Sequence, residues 1–337
     1  MAKDPDIKAR SRRVTAQMIA DLAGVSRSAV SRAFTKGGYV EAEKRQRIYE
    51  VAAEHGYQPN ALAASLQGGR SQLVAVVAGD FRNTHDSEFT FKLCTALNKS
   101  GLWPLLIASE DEASGITVED ALRFPLDAIV IRGGSMSASL VTRCSKLGIP
   151  MICYGRPLGN IEADAVFCQN AAGMRKIVDV LLARGRRNFG FVAGPPGYHS
   201  SDERRKGLLD ALADAGLALR SEHQGDFNVN DGYAATLRMM DECTDIDAIV
   251  CANDASAVGA LGALQSLGKN VPNDVSVTGF DDAEMARWPM FSLTTVSNPI
   301  SPTVEAVVRL IERRLSDLGA SSQTLEIVPE VQLRQTH

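Results

Sequence analysis

The sequence predicts two kinds of folding unit in one chain. The first is a small all-α helix-turn-helix headpiece; the second is an α/β core of two lobes, each a doubly wound parallel sheet. Three observations carry this. Residues 14–34, VTAQMIADLAGVSRSAVSRAF, place two short amphipathic segments on either side of a Gly-containing turn. From Gln72 onward, continuous apolar runs alternate with helical patterns closed by Gly, as parallel sheets buried on both faces require. The charge also changes sign: residues 1–70 hold 12 Lys and Arg against 7 Asp and Glu, whereas the rest holds 24 against 33. A basic head on an acidic body fits a nucleic-acid-binding module fused to something that does not bind nucleic acid.

In the headpiece, Thr15 is placed to N-cap a first helix with Met18, Ile19 and Leu22 as its apolar face. Ala23-Gly24-Val25 makes the turn, Gly24 supplying the φ freedom of a sharp corner. Ser26 caps a second helix that turns Ala29, Val30 and Phe34 inward and presents Arg27, Ser28, Ser31 and Arg32 outward. In a helix-turn-helix unit this second helix enters the DNA major groove. Residues 41–54 form a third helix with Ile48, Val51 and Ala52 as apolar face and Gly56 as stop. Asn60 can cap a further helix of about two turns, too short to stand alone in water. The first dozen residues, with Lys3, Lys8, Arg10, Arg12 and Arg13, read as a solvated basic arm.

Beyond Gln72 the strand runs are 73–78, 104–108, 127–131, 149–154, 189–192, 247–251 and 275–278. Helices are predicted near 87–99, ahead of Gly148, and over 171–184, 202–215, 231–243 and 255–267. There are too many units for one sheet, so two similar halves follow, with 293–296 crossing back to the first half and the helix near 303–318 belonging to it.

Composition sets further bounds. A chain of 337 residues with 45% hydrophobic content suggests two or three domains. No apolar run approaches a membrane span, and the start of the chain lacks the apolar segment of a signal peptide, so a cytoplasmic protein is expected. Cys94, Cys144, Cys153, Cys168, Cys243 and Cys251 show no C-x-x-C spacing and read as buried free thiols. The five histidines show no H-E-x-x-H pattern, so no metal site is indicated. No G-x-G-x-x-G or Walker loop follows a strand and no G-x-S-x-G is present, so neither a nucleotide cofactor nor an enzyme is expected.

The segments VTAQMIADLAGVSRSAVSRAF and GYQPNALAASL, in that order and spacing, resemble the headpiece and hinge of the LacI/GalR (lactose-repressor) family of bacterial transcription regulators. The resemblance spans about residues 13 to 335. It implies a periplasmic-binding-protein-like core, a homodimer on a two-fold symmetric double-stranded operator, and a nucleoid-associated state when bound to DNA. The domains it implies are an arm at 1–12, the headpiece at 13–58, and a hinge helix and linker at 59–71. An effector-binding and dimerisation domain follows at 72–337, with one lobe about 72–168 and 298–324 and the other about 169–297 and 325–335. The DNA-contacting set is then Thr15, Gln17, Ser26, Arg27, Ser28, Ser31, Arg32 and Tyr57, with Asn60, Ala63 and Leu66 in the hinge. Paired hinge helices lie in the minor groove, where Leu66 matches the family's wedging Leu.

Ligands of open α/β sheets bind beyond the carboxyl ends of the strands. Those ends carry the loop from Asp80 through Arg82 and Asn83 to Asp86, then Arg132, Arg156, Asn253-Asp254 and Asp281-Asp282. The resemblance points to Asn253, Asp281 and Arg204 as effector hydrogen-bonders and to Phe227 as an aromatic against the ligand; His85, Asp86, Arg132 and Arg156 complete the candidate set. Asp254 and Asp282 are instead read as helix N-caps. Carboxylate, amide and guanidinium groups in one site suit a sugar or polyol, and the arginines also allow a sugar acid or sugar phosphate. Where the family commonly has Asn-Pro-Phe-Phe, this chain has Asn83-Thr84-His85-Asp86. Losing both aromatics weighs against a stacked planar ligand such as a purine. The competing reading is a sugar-binding sensor that acts through a protein partner, and the headpiece discriminates against it.

Overall fold

The computed structural model describes residues 14–35, 37–59, 70–78, 81, 83–108, 118–133, 138–158, 161 and 163–337. The chain divides into an N-terminal unit ending at Ser71 and a core over Gln72–His337.

The N-terminal unit is a three-helix cluster: α1 (Ala16–Ala23), α2 (Arg27–Phe34) and α3 (Ala42–Glu54). Thr15 caps α1, its hydroxyl accepting the Met18 N–H at 3.3 Å. Gly24 ends α1 in the left-handed conformation at φ 66°. Ser26 caps α2 by accepting the Ala29 N–H at 3.2 Å. Ile19, Ala20, Ala23, Val30, Ala33, Ile48 and Ala52 make the buried core. Fully burying side chains such as Ile19, Val30 and Ile48 contributes about 1.5–3 kcal/mol each. Phe34 closes one side, its ring 5.2 Å from Tyr49 and 5.7 Å from Tyr57.

Two expectations change here. Met18 and Leu22 are 44% and 49% exposed, not part of the apolar face. Ala20 and Ala23 take that place beside Ile19, because methyl-sized side chains let α1 approach α2 and α3 closely. On α2, Ala33 is buried with Val30, while Ala29 and Phe34 are half-buried.

The core holds two six-stranded sheets. The first contains β1 (Leu73–Ala78), β2 (Trp103–Ala108), β3 (Ala128–Arg132), β4 (Met151–Tyr154), β5 (Asp164–Cys168) and β11 (Thr324–Ile327). Its order is β11-β5-β4-β3-β1-β2, all parallel. The second contains β6 (Phe189–Ala193), β7 (Ser221–Gln224), β8 (Ala248–Cys251), β9 (Ser276–Asp281), β10 (Thr294–Ser297) and β12 (Val331–Gln332). Its order is β12-β10-β9-β8-β6-β7, parallel except for β12, which runs antiparallel to β10. Alternation along each strand feeds two layers. Val74 and Val76 face one core cluster while Ala75 and Val77 face the other.

The helices are α4 (Thr84–Lys99), α5 (Ala138–Leu147), α6 (Asn170–Ala183), α7 (His199–Asp214), α8 (Val229–Glu242), α9 (Asp254–Ser266) and α10 (Ile300–Ser316). As expected, α10 packs in the first lobe, where Val307, Leu310 and Ile311 meet Phe89, Leu93 and Leu97 of α4. Two placements differ from expectation. Residues 294–297 pair with β9 in the second sheet instead of crossing back, and the crossing is made by the segment after them. Residues 325–327, assigned by sequence to the second lobe, pair with β5 in the first. Asp164 explains this pairing: its buried carboxylate holds Arg314 at 2.5 Å and the Gln323 N–H at 2.7 Å, tying the end of α10 and the start of β11 to β5. Helix α4 begins at Thr84, earlier than predicted, because the Asn83 side chain caps it by accepting the His85 and Asp86 N–H groups. Of the cysteines, Cys144, Cys153, Cys168 and Cys251 are buried as predicted, while Cys94 and Cys243 are half-buried.

Candidate functional site

Helix α2 presents one polar stripe to solvent. Arg27, Ser28, Ser31 and Arg32 are all exposed. The stripe is organised locally: the Ser26 and Ser28 hydroxyls meet at 2.9 Å, and Arg32 Nε donates to the Ser28 carbonyl at 3.3 Å. Thr15 and Gln17 are exposed at the start of α1, where Gln17 donates to Asp21 at 2.8 Å. Tyr57, expected among the DNA contacts, is half-buried. Its ring packs edge-on against Phe34, and burial raises its phenol pKa. Asn60, Ala63 and Leu66 lie outside the described residues.

In the core, the strand ends bring a polar site together. Arg204, in α7, is 3% exposed. Its Nε donates to Asn170 Oδ1 at 2.9 Å, Nη1 to the Ala252 carbonyl at 2.7 Å, and Nη2 to Asp281 Oδ1 at 2.9 Å. The guanidinium lies 3.7 Å over the Phe280 ring. Asp281 Oδ1 also accepts from Asn298 Nδ2 at 3.2 Å. Among the described residues no donor reaches its Oδ2. The pair is thus locked on one carboxylate oxygen and open on the other, as a ligand hydroxyl requires.

The backbone around this pair is strained. Asp281 has φ 118°, Asp282 φ 54° and Phe227 φ 54°, all left-handed positions for residues with a Cβ. Each has a restraint. Asn253 Nδ2 donates to the Phe227 carbonyl at 3.0 Å while its Oδ1 caps α9 at Ser256 N–H. Phe227 packs on Gly194, where an added Cβ would stand 2.3 Å from the ring, and meets Tyr198 edge-on at 6.3 Å. Asp282 is held by Arg287 at 2.6 Å and Arg334 at 2.5 Å.

Both cap assignments made from sequence therefore change. The α9 cap is Asn253, which has the extended backbone a cap needs; Asp254 sits inside the first turn. The Asp254 carboxylate instead accepts the Ala283 N–H at 2.7 Å and the Thr295 hydroxyl. Burial, with Asp281 nearby, pushes its pKa well above the carboxylate range. Asp282 likewise caps no helix: Ala283 occupies that place before the short turn at 284–287. Asn253, expected at the effector, has its amide nitrogen on the Phe227 carbonyl and its amide oxygen on the Ser256 N–H.

From the first lobe, Arg132 holds Asp86 at 2.5 Å and lies 5.3 Å over the Tyr198 ring of the second lobe. His85 Nε2 meets the Asn298 carbonyl at 3.3 Å. Arg156 lays its stem against Gly133, and its Nε is buried without a hydrogen-bond partner. The structure thus brings His85, Asp86, Arg132, Arg204, Phe227, Asn253 and Asp281 together through hydrogen bonds, ion pairs and ring contacts, while Arg156 reaches them, among the described residues, through Gly133 next to Arg132. Tyr198, Asn298 and Asn170 were missed. The strand-end rule could have found all three: Asn170 follows β5, Tyr198 follows β6 and Asn298 follows β10. Among the described residues no group of His, Cys, Asp and Glu has metal-site geometry, and no helix is long and apolar enough to cross a membrane.

Comparison with known proteins agrees with this architecture. The profile of bacterial regulatory proteins, lacI family, matches residues 15–60, and that of the periplasmic binding protein-like domain matches residues 178–337. The HTH-type transcriptional regulator CelR of Thermobifida fusca is 29% identical, over 96% of this chain and 98% of that protein. The HTH-type transcriptional regulator AscG of Escherichia coli is 29% identical over 87% of this chain and 90% of its own. A CelR–cellobiose complex superposes with TM-score 0.72 at 27% identity, covering 96% of this chain and 100% of that one. The Lac repressor dimer bound to operator and an anti-inducer shares the fold with TM-score 0.86 at 23% identity, over 96% of this chain and 99% of that one. A helix-turn-helix headpiece on a two-lobed parallel-sheet core defines a DNA-binding transcription regulator. Residues 15–60 match the lacI family of bacterial regulatory proteins, and along nearly its whole length the chain resembles transcription regulators such as CelR.

Proposed function

We propose that this regulator is a cytoplasmic homodimeric repressor whose affinity for a two-fold operator is set by a small carbohydrate held at Asp281 and Arg204. The observation that carries the ligand class is the half-engaged Asp281 carboxylate, anchored by the buried Arg204 guanidinium. A carboxylate oxygen free to accept from a hydroxyl, in a site that also holds aromatic rings, is the chemistry of sugar and polyol recognition. Two of the described arginines in the candidate set are already neutralised, Arg132 by Asp86 and Arg204 by Asp281. That favours a neutral sugar over a sugar acid or phosphate, for which Arg156 alone would be left. The cellobiose complex of the relative CelR supports the same class. A binding role, not catalysis, follows from a site whose side chains brace a strained backbone and pair with one another. Arg27, Ser28, Ser31 and Arg32 are the proposed groove-facing residues, with Leu66 of the hinge as the wedge.

A thermal-shift screen over sugars, polyols, sugar acids and sugar phosphates tests the ligand class, since a ligand of the folded state raises the melting temperature. Removing residues 1–70 should leave that shift intact and abolish binding to an operator selected from random DNA. Retained DNA binding would overturn the division of labour.

A further inference from the structure

A chain of polar groups runs from one lobe of the core to the other. In the first lobe Arg132 holds Asp86 Oδ2 at 2.5 Å, and Asp86 Oδ1 lies 4.0 Å from His85 Nδ1. On the far side of the imidazole, Nε2 meets the Asn298 carbonyl at 3.3 Å. Asn298 starts the segment that returns from the second sheet to the first. Its backbone N–H donates to the Asp281 carbonyl at 3.1 Å and its Nδ2 to Asp281 Oδ1 at 3.2 Å. Asp281 in turn holds Arg204. His85 is the one member of this chain whose charge changes near neutral pH in its ordinary state.

The geometry decides where its protons must be. A carbonyl only accepts, so Nε2 carries a hydrogen. In a neutral ring Nδ1 then turns a lone pair towards the Asp86 carboxylate, which is repulsive. A proton on Nδ1 makes the same approach attractive. The charged groups facing the ring are Asp86 on its own helix, with Arg132 behind it, and Asp281 and Arg204 from the second lobe. Burial of the imidazole opposes its charge; Asp281 and Asp86 outweigh both burial and Arg204 and hold its pKa above the usual value.

We propose that His85 is a proton-operated link between the two lobes: the imidazolium closes the polar chain from Arg132 to Arg204, and the neutral ring opens it at Asp86. The functional consequence rests on the effector reading given above. A ligand that engages Asp281 meets one end of this link, so the response to it varies with pH. The sign follows from the raised folded-state value. The stabilisation is complete below the unfolded imidazole's value of about 6.5 and is lost as pH rises through the higher folded value.

The test is a carbon NMR titration of the full-length protein labelled at the histidine Cε1 positions. The chain has five histidines, and His85→Gln assigns the signal by removing it. His85 should titrate with a midpoint above about 6.5. Asp281→Asn should lower that midpoint by about half a pH unit or more, although Asp281 lies in the other lobe. In a second sample labelled with nitrogen-15 at asparagine, the Asn298 amide should move with the same midpoint. If Asp281→Asn disturbs the remaining histidine signals, Asp86→Asn serves in its place and should shift the midpoint the same way. A midpoint at or below the ordinary value, or one that neither variant moves, would overturn the proposal. Neither effector nor operator enters this measurement. Its failure is therefore distinct from failure of the effector reading, which falls when no carbohydrate raises the melting temperature.

Discussion

At the scale of single residues, the site cannot be divided cleanly into residues that bind and residues that hold the fold. Arg204 does both. Replacing it with Ala leaves Asp281 buried beside Asp254 with no counter-charge, and breaking a buried pair from one side costs about 3–5 kcal/mol. Arg204→Ala should therefore lower the melting temperature of the core as well as abolish the sugar-induced shift. Asp281→Asn keeps the side-chain shape and a hydrogen-bond acceptor for Arg204 but leaves that buried cation without its counter-charge, so it too should lower the melting temperature while abolishing the ligand shift; calorimetry of the two variants measures both effects. Asp254 carries a pH signature of its own. Its folded pKa is raised, so the folded state takes up the proton more readily than the unfolded chain. The stability it contributes is full below about pH 4 and is lost as pH rises through the raised value. Asp254→Asn removes the titration, so melting temperatures measured from pH 5 to 8 should fall less steeply in the variant. On the headpiece, Arg27→Ala or Arg32→Ala should cost ~1–3 kcal/mol on the operator and relax preference at one base pair, because Arg reads guanine with two hydrogen bonds. An equal loss on all sequences in a binding-array measurement would mark them as phosphate contacts instead.

Elements were legible in the sequence to the extent that burial shaped them. The central strands β1, β3 and β8 are apolar on both faces and stand out as continuous runs. Strands β7 (SEHQ) and β11 (TLEI) are sheet edges with alternating half-exposed residues, so no apolar run marks them. That is also why the lobe of β11 was misassigned: its partner is fixed by Asp164 and Arg314, a contact distant in sequence. Helix starts were read late at α4 and α8 because their caps, Asn83 and Asn228, looked like loop residues. The site was legible where strand-end polar residues coincide with motifs, as at Asp281 and Arg204. It was misread at Asp254, taken for the cap of α9 where Asn253 has the extended backbone that a cap needs. One packing feature invites a direct test. Helices α8 and α9 cross at Gly232 and Gly259, where an added Cβ would stand 2.3 Å from the Ser256 carbonyl and 2.1 Å from the Val229 carbonyl. Both obstacles are backbone, so neither can swing aside. Gly232→Ala or Gly259→Ala should destabilise the core by about 1–3 kcal/mol through overpacking, measured by urea denaturation. An alanine that raised stability would show that the helices can part without loss.

At the scale of the whole molecule, the two units differ in how much each can bury. The headpiece core consists of Ile19, Ala20, Ala23, Val30, Ala33, Ile48 and Ala52, four of them alanines, with half-buried Phe34 and Tyr57 around them. The effector core has four clusters, and Phe89, Phe189, Phe191 and Phe280 are fully buried within them. Small units bury a smaller fraction of their surface and are correspondingly marginal. Calorimetry should therefore resolve two transitions in the free protein, the headpiece melting first. The two perturbations should then act selectively. A sugar effector stabilises only the state that binds it, so it should raise the second transition and leave the first in place. Operator DNA should raise the first. Val30→Ala in the headpiece removes buried methyl groups from this thin core and should lower the first transition alone, by an amount corresponding to about 1–3 kcal/mol. A single transition that shifts as one with either ligand would mean that the two units fold as one cooperative body. In that case the control of DNA binding by effector would have to be sought in their shared stability, not in a signal passed between independent parts.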